Sequence, residues 1–292
     1  MKYQKGADTV TLPTDDLILA IGHSAKDTFE RLYAHGVPMI SRGFGIGVRI
    51  EHPREYINDL IYGKNHDPRL ETASYHLVTH LKNGRSVYSF CMCPGGTVVA
   101  AASEQGGVVT NGMSEYLRDG ENSNAAFLVS VTPDDFGSSH PLAGMELQRR
   151  IERAAFTAGG SDYRAPAVTM SDFMTDSAKD LGSVRPTYPL GVRVTSPRTY
   201  LPEYVTDSLR ASISDFEEWM PGFYYPDSVL TGAETRTTSP VRILRGESYE
   251  CEVISGLYPA GEGAGYSGGI VSSAVDGIKC AFSIINRSKS NQ

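Results

Sequence analysis

The sequence GLYPAGEGAGYSGGIVSSAVDGIKCAFSIINR, residues 256–287, holds the clearest indication of the fold. A short apolar run leads into a glycine-rich turn, and an apolar helix is predicted from about Gly268 to Ile285. Six of the fourteen residues from Gly256 to Gly269 are glycine, which is more than one turn requires. Glycine lets a ligand approach backbone N–H groups closely, and a helix N-terminus attracts negative charge. The segment therefore predicts a strand, loop and helix unit that binds a ligand.

Three glycines of this segment, Gly263, Gly265 and Gly268, match the dinucleotide-binding fingerprint GxGxxG. A Rossmann unit also needs a crossover and a further strand with an acidic residue about 20 positions on, which holds the ribose. The sequence that follows is too short for that strand, and its acid, Asp276, falls inside the predicted helix. The match therefore does not indicate a Rossmann unit. A tight turn whose glycines serve only close packing remains an alternative to a ligand site.

Gly265, Ser267 and Gly269 also match GxSxG, the nucleophile elbow of α/β-hydrolases. The hydrolase order places an acid and then a histidine after the serine, and no histidine follows His140. Ser267 would need a base from upstream in the chain. A serine hydrolase acting through Ser267 is therefore the weaker alternative for this segment.

Composition and charge disfavour several other classes of protein. Lys and Arg number 27 against 34 Asp and Glu, a formal charge of -7, and no basic block could trace a nucleic-acid backbone. The four cysteines form no CxxC pair and no spacing typical of a zinc site. The first residues lack the apolar core of a signal peptide, and no window reaches the roughly 18 apolar residues that cross a bilayer. We expect a cytoplasmic protein with no metal, nucleic-acid partner or membrane segment.

Strand and helix patterns alternate along the rest of the chain. Residues 17–22, LILAIG, are typical of a buried strand that ends in a glycine turn. Residues 74–102 alternate in polarity around Asn83-Gly84, which predicts a β-hairpin with a type I′ turn. Residues 160–200 contain several prolines and predict irregular connections. Helices are predicted at about 26–35, 142–159 and 205–220.

Two pairs of candidate ligands lie in the predicted hairpin. His76 and His80 would lie about 13 Å apart along a strand, and no third ligand is evident, so no metal site is expected. Cys91 and Cys93 are two residues apart in one predicted strand. Same-face neighbours in a strand are too far apart to bridge without distortion. Buried structural thiols are therefore favoured over a redox dithiol beside a cofactor.

Arg236 and Arg242 lie in a polar cluster, ETRTTSPVR, that precedes the glycine-rich segment. Arginines at this point could hold a substrate carboxylate or a cofactor phosphate, and surface arginines on a strand pair are the alternative. Arg236 and Thr237 are the candidate substrate ligands. No His, Tyr or carboxylate stands out as an acid or base, so no catalytic residue is assigned.

Long, idiosyncratic runs of sequence spread over nearly the whole chain resemble one family, the FAD-dependent dehydrogenases described as NAD(FAD)-utilizing. These are relatives of the flavoproteins with two dinucleotide-binding domains. The runs are LILAIGHSAKDTF (17–29), FGIGVRIEHP (44–53), YSFCMCPGG (88–96), NGMSEYLRDGENSNAA (111–126), ETRTTSPVRI (234–243) and YPAGEGAGYSGGIVSSAVDGIKCA (258–281).

The resemblance implies an α+β fold in two parts. Residues 1–45 and 246–292 would form a discontinuous α/β remnant of an FAD-binding domain, and residues 46–245 an inserted, β-rich mixed domain for the substrate. Family members begin with a strand, a GxGxxG turn and a helix that hold the ADP moiety of FAD. Nothing before Gly22 matches that unit. We therefore expect the C-terminal part of such a protein.

The resemblance also implies a cofactor and an activity. Gly261-Glu262 resembles the Gly-Asp pair whose carboxylate binds the ribityl chain of FAD, here with glutamate for aspartate. The implied activity is flavin-mediated hydride transfer with a small-molecule substrate, and NAD(P)H is a further partner that the family allows. A fragment that binds a ligand or a partner chain without turnover is the alternative. The implied FAD-binding residues are Gly22, Gly261, Glu262, Gly263, Gly265, Tyr266, Ser267, Gly268, Gly269 and Ile270.

Two expectations about geometry follow. Gly265 and Gly268 should lie at the N-terminus of the last helix, with their N–H groups facing an open cleft. Residues 17–22 and 256–261 should be neighbouring strands of one sheet, because the entry and exit of an inserted domain lie close together.

Overall fold

The computed structural model describes residues 2–290, which form two compact units. The first unit consists of the residues up to Arg42, of Phe136–Met145 and of the residues from Thr238 on. The second unit consists of Gly43–Asp135 and Glu146–Thr237.

These boundaries differ from the predicted division into 1–45 with 246–292 and 46–245. Residues 136–145 and 238–245 belong to the first unit because both contribute apolar side chains to one buried cluster. The buried members of that cluster are Phe29, Val37, Met39, Leu142, Met145, Val241, Ile243, Cys251 and Leu257.

Helices and strands are both abundant in the described residues, which confirms the predicted α+β class. The α-helices are α1 (Lys26–Ala34), α2 (Arg54–Tyr62), α3 (Ala143–Ala158), α4 (Met170–Met174), α5 (Glu203–Trp219) and α6 (Ile270–Ser290). The strands are β1 (Lys2–Lys5), β2 (Asp8–Thr11), β3 (Leu17–Leu19), β4 (Met39–Ser41), β5 (Phe44–Pro53), β6 (Val78–His80), β7 (Ser86–Cys93), β8 (Gly96–Ala100), β9 (Thr110–Ser114), β10 (Asn122–Val131), β11 (Ala165–Thr169), β12 (Val192–Val194), β13 (Val229–Glu234), β14 (Val241–Ile243) and β15 (Leu257–Pro259).

A parallel pair of strands, β3 and β15, anchors the first unit. Leu17 lies opposite Leu257, and Leu19 lies opposite Pro259. The pairing confirms that these two segments, far apart in sequence, are neighbouring strands. α1 follows β3 and buries Phe29 in the hydrophobic cluster, so the predicted helix at 26–35 is also confirmed.

A seven-stranded sheet in the order β12-β11-β13-β5-β10-β7-β6 forms the centre of the second unit. β5 and β10 pair antiparallel over their full lengths, and their residues are almost all buried. β5 nevertheless carries Arg49, which is fully buried and forms an ion pair of 2.7 Å with Glu234. A buried charge requires such a partner, because desolvation penalises an unpaired ion heavily.

The predicted hairpin is present, but its turn is of another type. β6 pairs antiparallel with β7, and His80 lies opposite Ser86. Gly84 has a positive φ of 82°, whereas Asn83 is not among the residues with positive φ, so the type I′ prediction is wrong. The Gly84 amide donates to the Leu81 carbonyl oxygen, and the Leu81 amide donates to that of Arg85. This is the pattern of a longer hairpin loop with glycine in the left-handed conformation.

Within residues 2–290, no three His, Cys, Asp or Glu side chains cluster in a way that could hold a metal ion. Over the same residues, none of the helices is both long enough and apolar enough to cross a membrane.

Candidate cofactor site

A pocket of about 340 Å³ lies in the first unit, where the strands β3 and β15 end and α6 begins. We call it the strand-end pocket. Five of its lining residues, Gly22, Gly261, Glu262, Gly269 and Ile270, are among the predicted cofactor ligands, and four were not predicted. The unpredicted ones are Ala20, Ala260, Ser273 and Gly277.

Glycines shape the floor of the strand-end pocket. Gly22 and Gly261 lie in the turns after β3 and β15 and have φ angles of 64° and 76°, a left-handed backbone that favours glycine. Gly263 lies so close to the turn after β3 that a Cβ atom on it would stand 2.3 Å from the Gly22 carbonyl oxygen. The two turns can therefore meet only because residue 263 has no side chain.

An ion pair behind the pocket fixes the turn at Gly261. The Gly261 amide donates to Oδ2 of Asp276 at 2.7 Å, and Arg245 donates to both carboxylate oxygens, at 2.6 and 2.9 Å. The Arg245 guanidinium also lies 3.8 Å from the ring centroid of Tyr266. Burial raises the pKa of the Asp276 carboxyl, but the Arg245 hydrogen bonds outweigh burial and hold that pKa below its usual value. The sequence analysis assigned no role to Asp276 or Arg245, which together fix the turn beside the pocket.

His23 holds the carboxylate of Glu262 at the edge of the pocket. The distance from Nδ1 of His23 to Oε1 of Glu262 is 3.2 Å, and the Glu262 side chain is still 29% exposed. The Nε2 atom of His23 is buried with no hydrogen-bond partner in the described part of the chain. Glu262 thus presents an oriented acceptor that a ligand could reach. The position of His23, directly after the glycine of LILAIG, was the available signal for it.

α6 directs its N-terminus at the same pocket. The helix begins at Ile270, two residues later than the predicted Gly268, and Ile270, Ser273 and Gly277 face the pocket. The first N–H groups of a helix have no intrahelical partner and carry partial positive charge. The pocket therefore combines a carboxylate acceptor with a set of backbone donors.

The expectation for Gly265 is wrong. Its amide donates to the Glu262 carbonyl oxygen at 2.9 Å, and a Cβ atom on it would lie 2.6 Å from the Val241 carbonyl oxygen. Close packing against β14 therefore explains this glycine. Gly268 is exposed and precedes the helix. Neither residue lines the pocket.

Ser267 lacks the surroundings of a nucleophile. Its Oγ atom lies 2.7 Å from Oγ of Ser273, so the partner is a second hydroxyl and not a histidine base. Ser267 itself is buried, with only 9% of its surface exposed. A base within hydrogen-bond reach is what activates a serine. The geometry therefore does not support the hydrolase alternative.

Arg236 and Thr237 lie in the second unit with partners of their own. Arg236 donates to both carboxylate oxygens of Glu152, with distances of 3.0 and 2.9 Å. The Thr237 hydroxyl bonds to the backbone of Gly45. Their role as substrate ligands stays a prediction, and it requires a substrate that shares the Arg236 guanidinium with Glu152.

Cys91 and Cys93 are not the pair of buried thiols that was expected. A bulge interrupts the β7 and β10 pairing here, and Cys91 has a positive φ of 41° and is exposed. Cys93 is partly buried beside Arg49, at 3.9 Å from Sγ to Nη1. Burial raises the pKa of the Cys93 thiol, and Arg49 opposes that effect only in part. The bulge places the two side chains in different environments.

In the strand-end pocket, the carboxyl ends of two parallel strands and the helix that follows them enclose a glycine-lined space. This arrangement is typical of α/β units that bind nucleotide cofactors.

Residues 43–237 match the family model described as FAD-dependent protein, C-terminal domain-like. The chain therefore belongs to that family, which supports a role related to flavoproteins. The match covers the range of the second unit, whereas the strand-end pocket lies outside it, in the first unit.

The chain is also similar to an uncharacterized protein of Clostridium beijerinckii. The two are 51% identical over 274 residues, which make up 93% of this chain and 51% of that relative. The chain thus spans about half the length of the curated relative that it matches.

Proposed function

We propose that this chain is the C-terminal part of an FAD-dependent oxidoreductase of the NAD(FAD)-utilizing dehydrogenase type. In this proposal the strand-end pocket receives part of FAD, and the second unit carries the substrate site. Bound FAD would supply hydride transfer to or from a small-molecule substrate, and NAD(P)H would be a second partner. The single observation that carries the proposal is the Glu262 carboxylate in a glycine-lined pocket at the N-terminus of α6.

The residues of the pocket fit such a group. A sugar-alcohol hydroxyl can donate to the Glu262 carboxylate, which His23 holds in place. The backbone donors at Ile270 suit the electron-rich edge of a flavin ring. Gly22, Gly261 and Gly277 leave room for a flat ligand against the backbone. A volume of about 340 Å³ is near the lower end of small-molecule sites, which suits one part of a dinucleotide.

The first test is whether Glu262 contributes to FAD binding. Binding of FAD to the purified chain is measured by quenching of flavin fluorescence. We expect the substitution Glu262→Gln to weaken binding by about 1–3 kcal/mol, the usual contribution of a hydrogen bond to a charged group. Glu252→Gln, which removes an exposed carboxylate away from the pocket, should change it by less than about 0.5 kcal/mol.

Two results would count against the proposal. The first is a wild-type chain that neither quenches the fluorescence of FAD nor shows flavin absorption bands. The chain would then be better described as a fragment that binds a ligand or a partner chain without turnover. If Glu262→Gln and Glu252→Gln bind FAD equally well, the strand-end pocket is not the flavin site.

A further inference from the structure

Two arginines of the first unit, Arg42 and Arg242, lie on the same face of the β4–β14 strand pair. The Arg42 amide donates to the Pro240 carbonyl oxygen at 2.8 Å and so continues the antiparallel ladder by one more pair. Residue 42 therefore lies opposite residue 240. Opposite residues point to the same side of a sheet, and so do residues two apart along one strand. The side chains of Arg42 and Arg242 are consequently diagonal neighbours.

The face of the strand pair that carries these arginines is open to solvent. Ile40, which lies opposite Arg242, is 46% exposed. Val241 and Ile243 point the other way, into the buried cluster of the first unit. Both arginines are themselves partly exposed. A ligand from solution can therefore reach both guanidinium groups.

The two guanidinium groups converge on one backbone atom. Nη1 of Arg42 donates to the Gly265 carbonyl oxygen at 2.5 Å, and Nε of Arg242 donates to the same oxygen at 3.1 Å. The Arg242 guanidinium also lies 5.0 Å from the ring centroid of Tyr266. A guanidinium has five N–H donors, and within residues 2–290 neither side chain makes another hydrogen bond. Most donors of the pair are therefore free to bind a ligand.

The pair also lacks a counter-charge. In the part of the chain that the structure describes, neither arginine forms an ion pair with a carboxylate, whereas every other arginine there that is at least partly buried does so. Arg245, three residues after Arg242, pairs with Asp276, for example. Burial, and then the charge of Arg242, hold the pKa of the Arg42 guanidinium below its usual value. An anion bound between the two groups would remove this repulsion.

We propose that Arg42 and Arg242 form a binding site for the phosphate group of a small-molecule ligand. A guanidinium presents its donors in a planar fork that matches the oxygen atoms of a phosphate. Two guanidinium groups also match the charge of a phosphate, which approaches two at neutral pH, whereas a carboxylate would neutralise only one of them. Neither arginine lines the strand-end pocket, so this site is separate from the proposed cofactor site and does not rest on it.

The test is calorimetric titration of the purified chain with inorganic phosphate, without FAD. The ionic strength is held constant, because salt screens partly exposed charges. We expect Arg42→Gln and Arg242→Gln each to weaken phosphate binding by roughly tenfold or more, the scale of a hydrogen bond to a charged group. Arg31→Gln, which removes an exposed arginine of α1 in the same unit, should leave the Kd within about twofold. Acetate, with a single charge, should bind the wild-type chain more weakly than phosphate does.

A lysine variant separates charge from geometry. Arg242→Lys keeps the positive charge but loses the planar fork, so its affinity for phosphate should lie between those of the wild type and Arg242→Gln. Circular dichroism of each variant shows whether it is folded. If Arg242→Gln does not fold, Arg42→Gln and Arg242→Lys give the comparison with Arg31→Gln.

Several results would overturn the inference: a wild-type chain that does not bind phosphate, equal affinities of the folded pair variants and Arg31→Gln, or acetate that binds as tightly as phosphate. FAD binding gives a further check, since Arg242→Gln should quench flavin fluorescence as the wild type does. If this variant weakens FAD binding as much as phosphate binding, the pair holds a phosphate of the cofactor and is not a separate site. A chain that binds phosphate but not FAD would contradict only the proposed function.

Discussion

The position of the Glu262 carboxylate depends on His23, which lies beside the pocket and does not line it. Nδ1 of His23 contacts the Glu262 carboxylate, so removal of the imidazole leaves that carboxylate free to turn into solvent. We expect His23→Ala to weaken FAD binding less than Glu262→Gln does, by about 0.5–1.5 kcal/mol, the net contribution of one hydrogen bond. Fluorescence quenching of FAD by the variants measures the loss.

The double variant decides whether His23 acts through Glu262. If it does, the losses are not additive, because either change alone already removes the oriented carboxylate. His23→Asn, whose amide can also donate, should restore part of the affinity. Additive losses, with no recovery in His23→Asn, would show that His23 does not position Glu262.

Gly263 limits the approach of the two strand-end turns. A methyl group on residue 263 would overlap the Gly22 carbonyl oxygen, so the backbone must move. We expect Gly263→Ala to lower the free energy of unfolding by about 1–3 kcal/mol, as overpacking of a tight contact does. The control is Gly277→Ala on α6, where a Cβ atom meets nothing within 4 Å. Since alanine favours the helix, this control should stabilise the protein by up to about 1 kcal/mol in urea unfolding. Equal stabilities of the two variants would contradict the close contact.

At the scale of an element, the loop between β15 and α6 depends on the buried pair of Arg245 and Asp276. Asp276→Asn keeps the shape of the side chain but leaves Arg245 without its counter-charge. We expect a loss of about 1–3 kcal/mol in the free energy of unfolding at pH 7. Urea unfolding measures it. A loss below about 0.5 kcal/mol would mean that the pair does not hold the loop.

The same pair gives this loss a pH dependence. The folded pKa of Asp276 lies below its unfolded value of about 3.9, so its contribution is present above pH 4 and is lost as the pH falls through the folded value. The difference in stability between wild type and Asp276→Asn should therefore shrink as the pH falls below about 4. A difference that grows in acid would contradict the lowered pKa.

Local sequence patterns predicted the elements that rest on short-range physics. The apolar run at 17–22, the glycine-rich turn and the helix after it lie where they were expected, because turn glycines and helical periodicity are local signals. The central helices near 142–159 and 205–220 correspond to α3 and α5.

The sequence did not indicate features that depend on distant partners. β11 and β12 lie in the proline-containing stretch that was expected to be irregular, and they are short strands that form only by joining the large sheet. The sequence placed Asp276 inside the last helix and indicated no role for it. Its role depends on contacts with Arg245 and the Gly261 amide, which the fold brings to it. Phe136–Met145 joins the first unit through contacts that no periodicity encodes.

At the scale of the whole molecule, the family match and the strand-end pocket fall on different units. The match extends over residues 43–237, and the pocket residues all lie outside that range. The family assignment therefore rests on the second unit, and the cofactor proposal rests on the first. A chain that does not bind FAD in the strand-end pocket would therefore still belong to the same family.

The stability of the molecule should depend on pH through a buried histidine of the second unit. His52 is fully buried between Tyr56 and Phe223, and its Nε2 atom donates to the Phe223 carbonyl oxygen at 2.9 Å. Burial lowers the pKa of His52 to about 4, against an ordinary value of 6.5. The folded protein therefore keeps this imidazole neutral at pH values where the unfolded chain protonates it.

Proton binding to the unfolded state draws the equilibrium toward unfolding as the pH falls from about 6.5 to about 4. We expect His52 alone to lower the free energy of unfolding by about 2 kcal/mol between pH 7 and pH 5, from the difference of the two pKa values. Urea unfolding at both pH values measures this loss.

His52→Asn should lower the free energy of unfolding at pH 7, because a buried contact is lost. Between pH 7 and pH 5, however, the variant should lose about 2 kcal/mol less stability than the wild type loses. His35→Asn, which changes an exposed histidine of the first unit, should retain the wild-type dependence. If His52→Asn and His35→Asn lose equal stability between pH 7 and pH 5, His52 does not titrate as its burial requires.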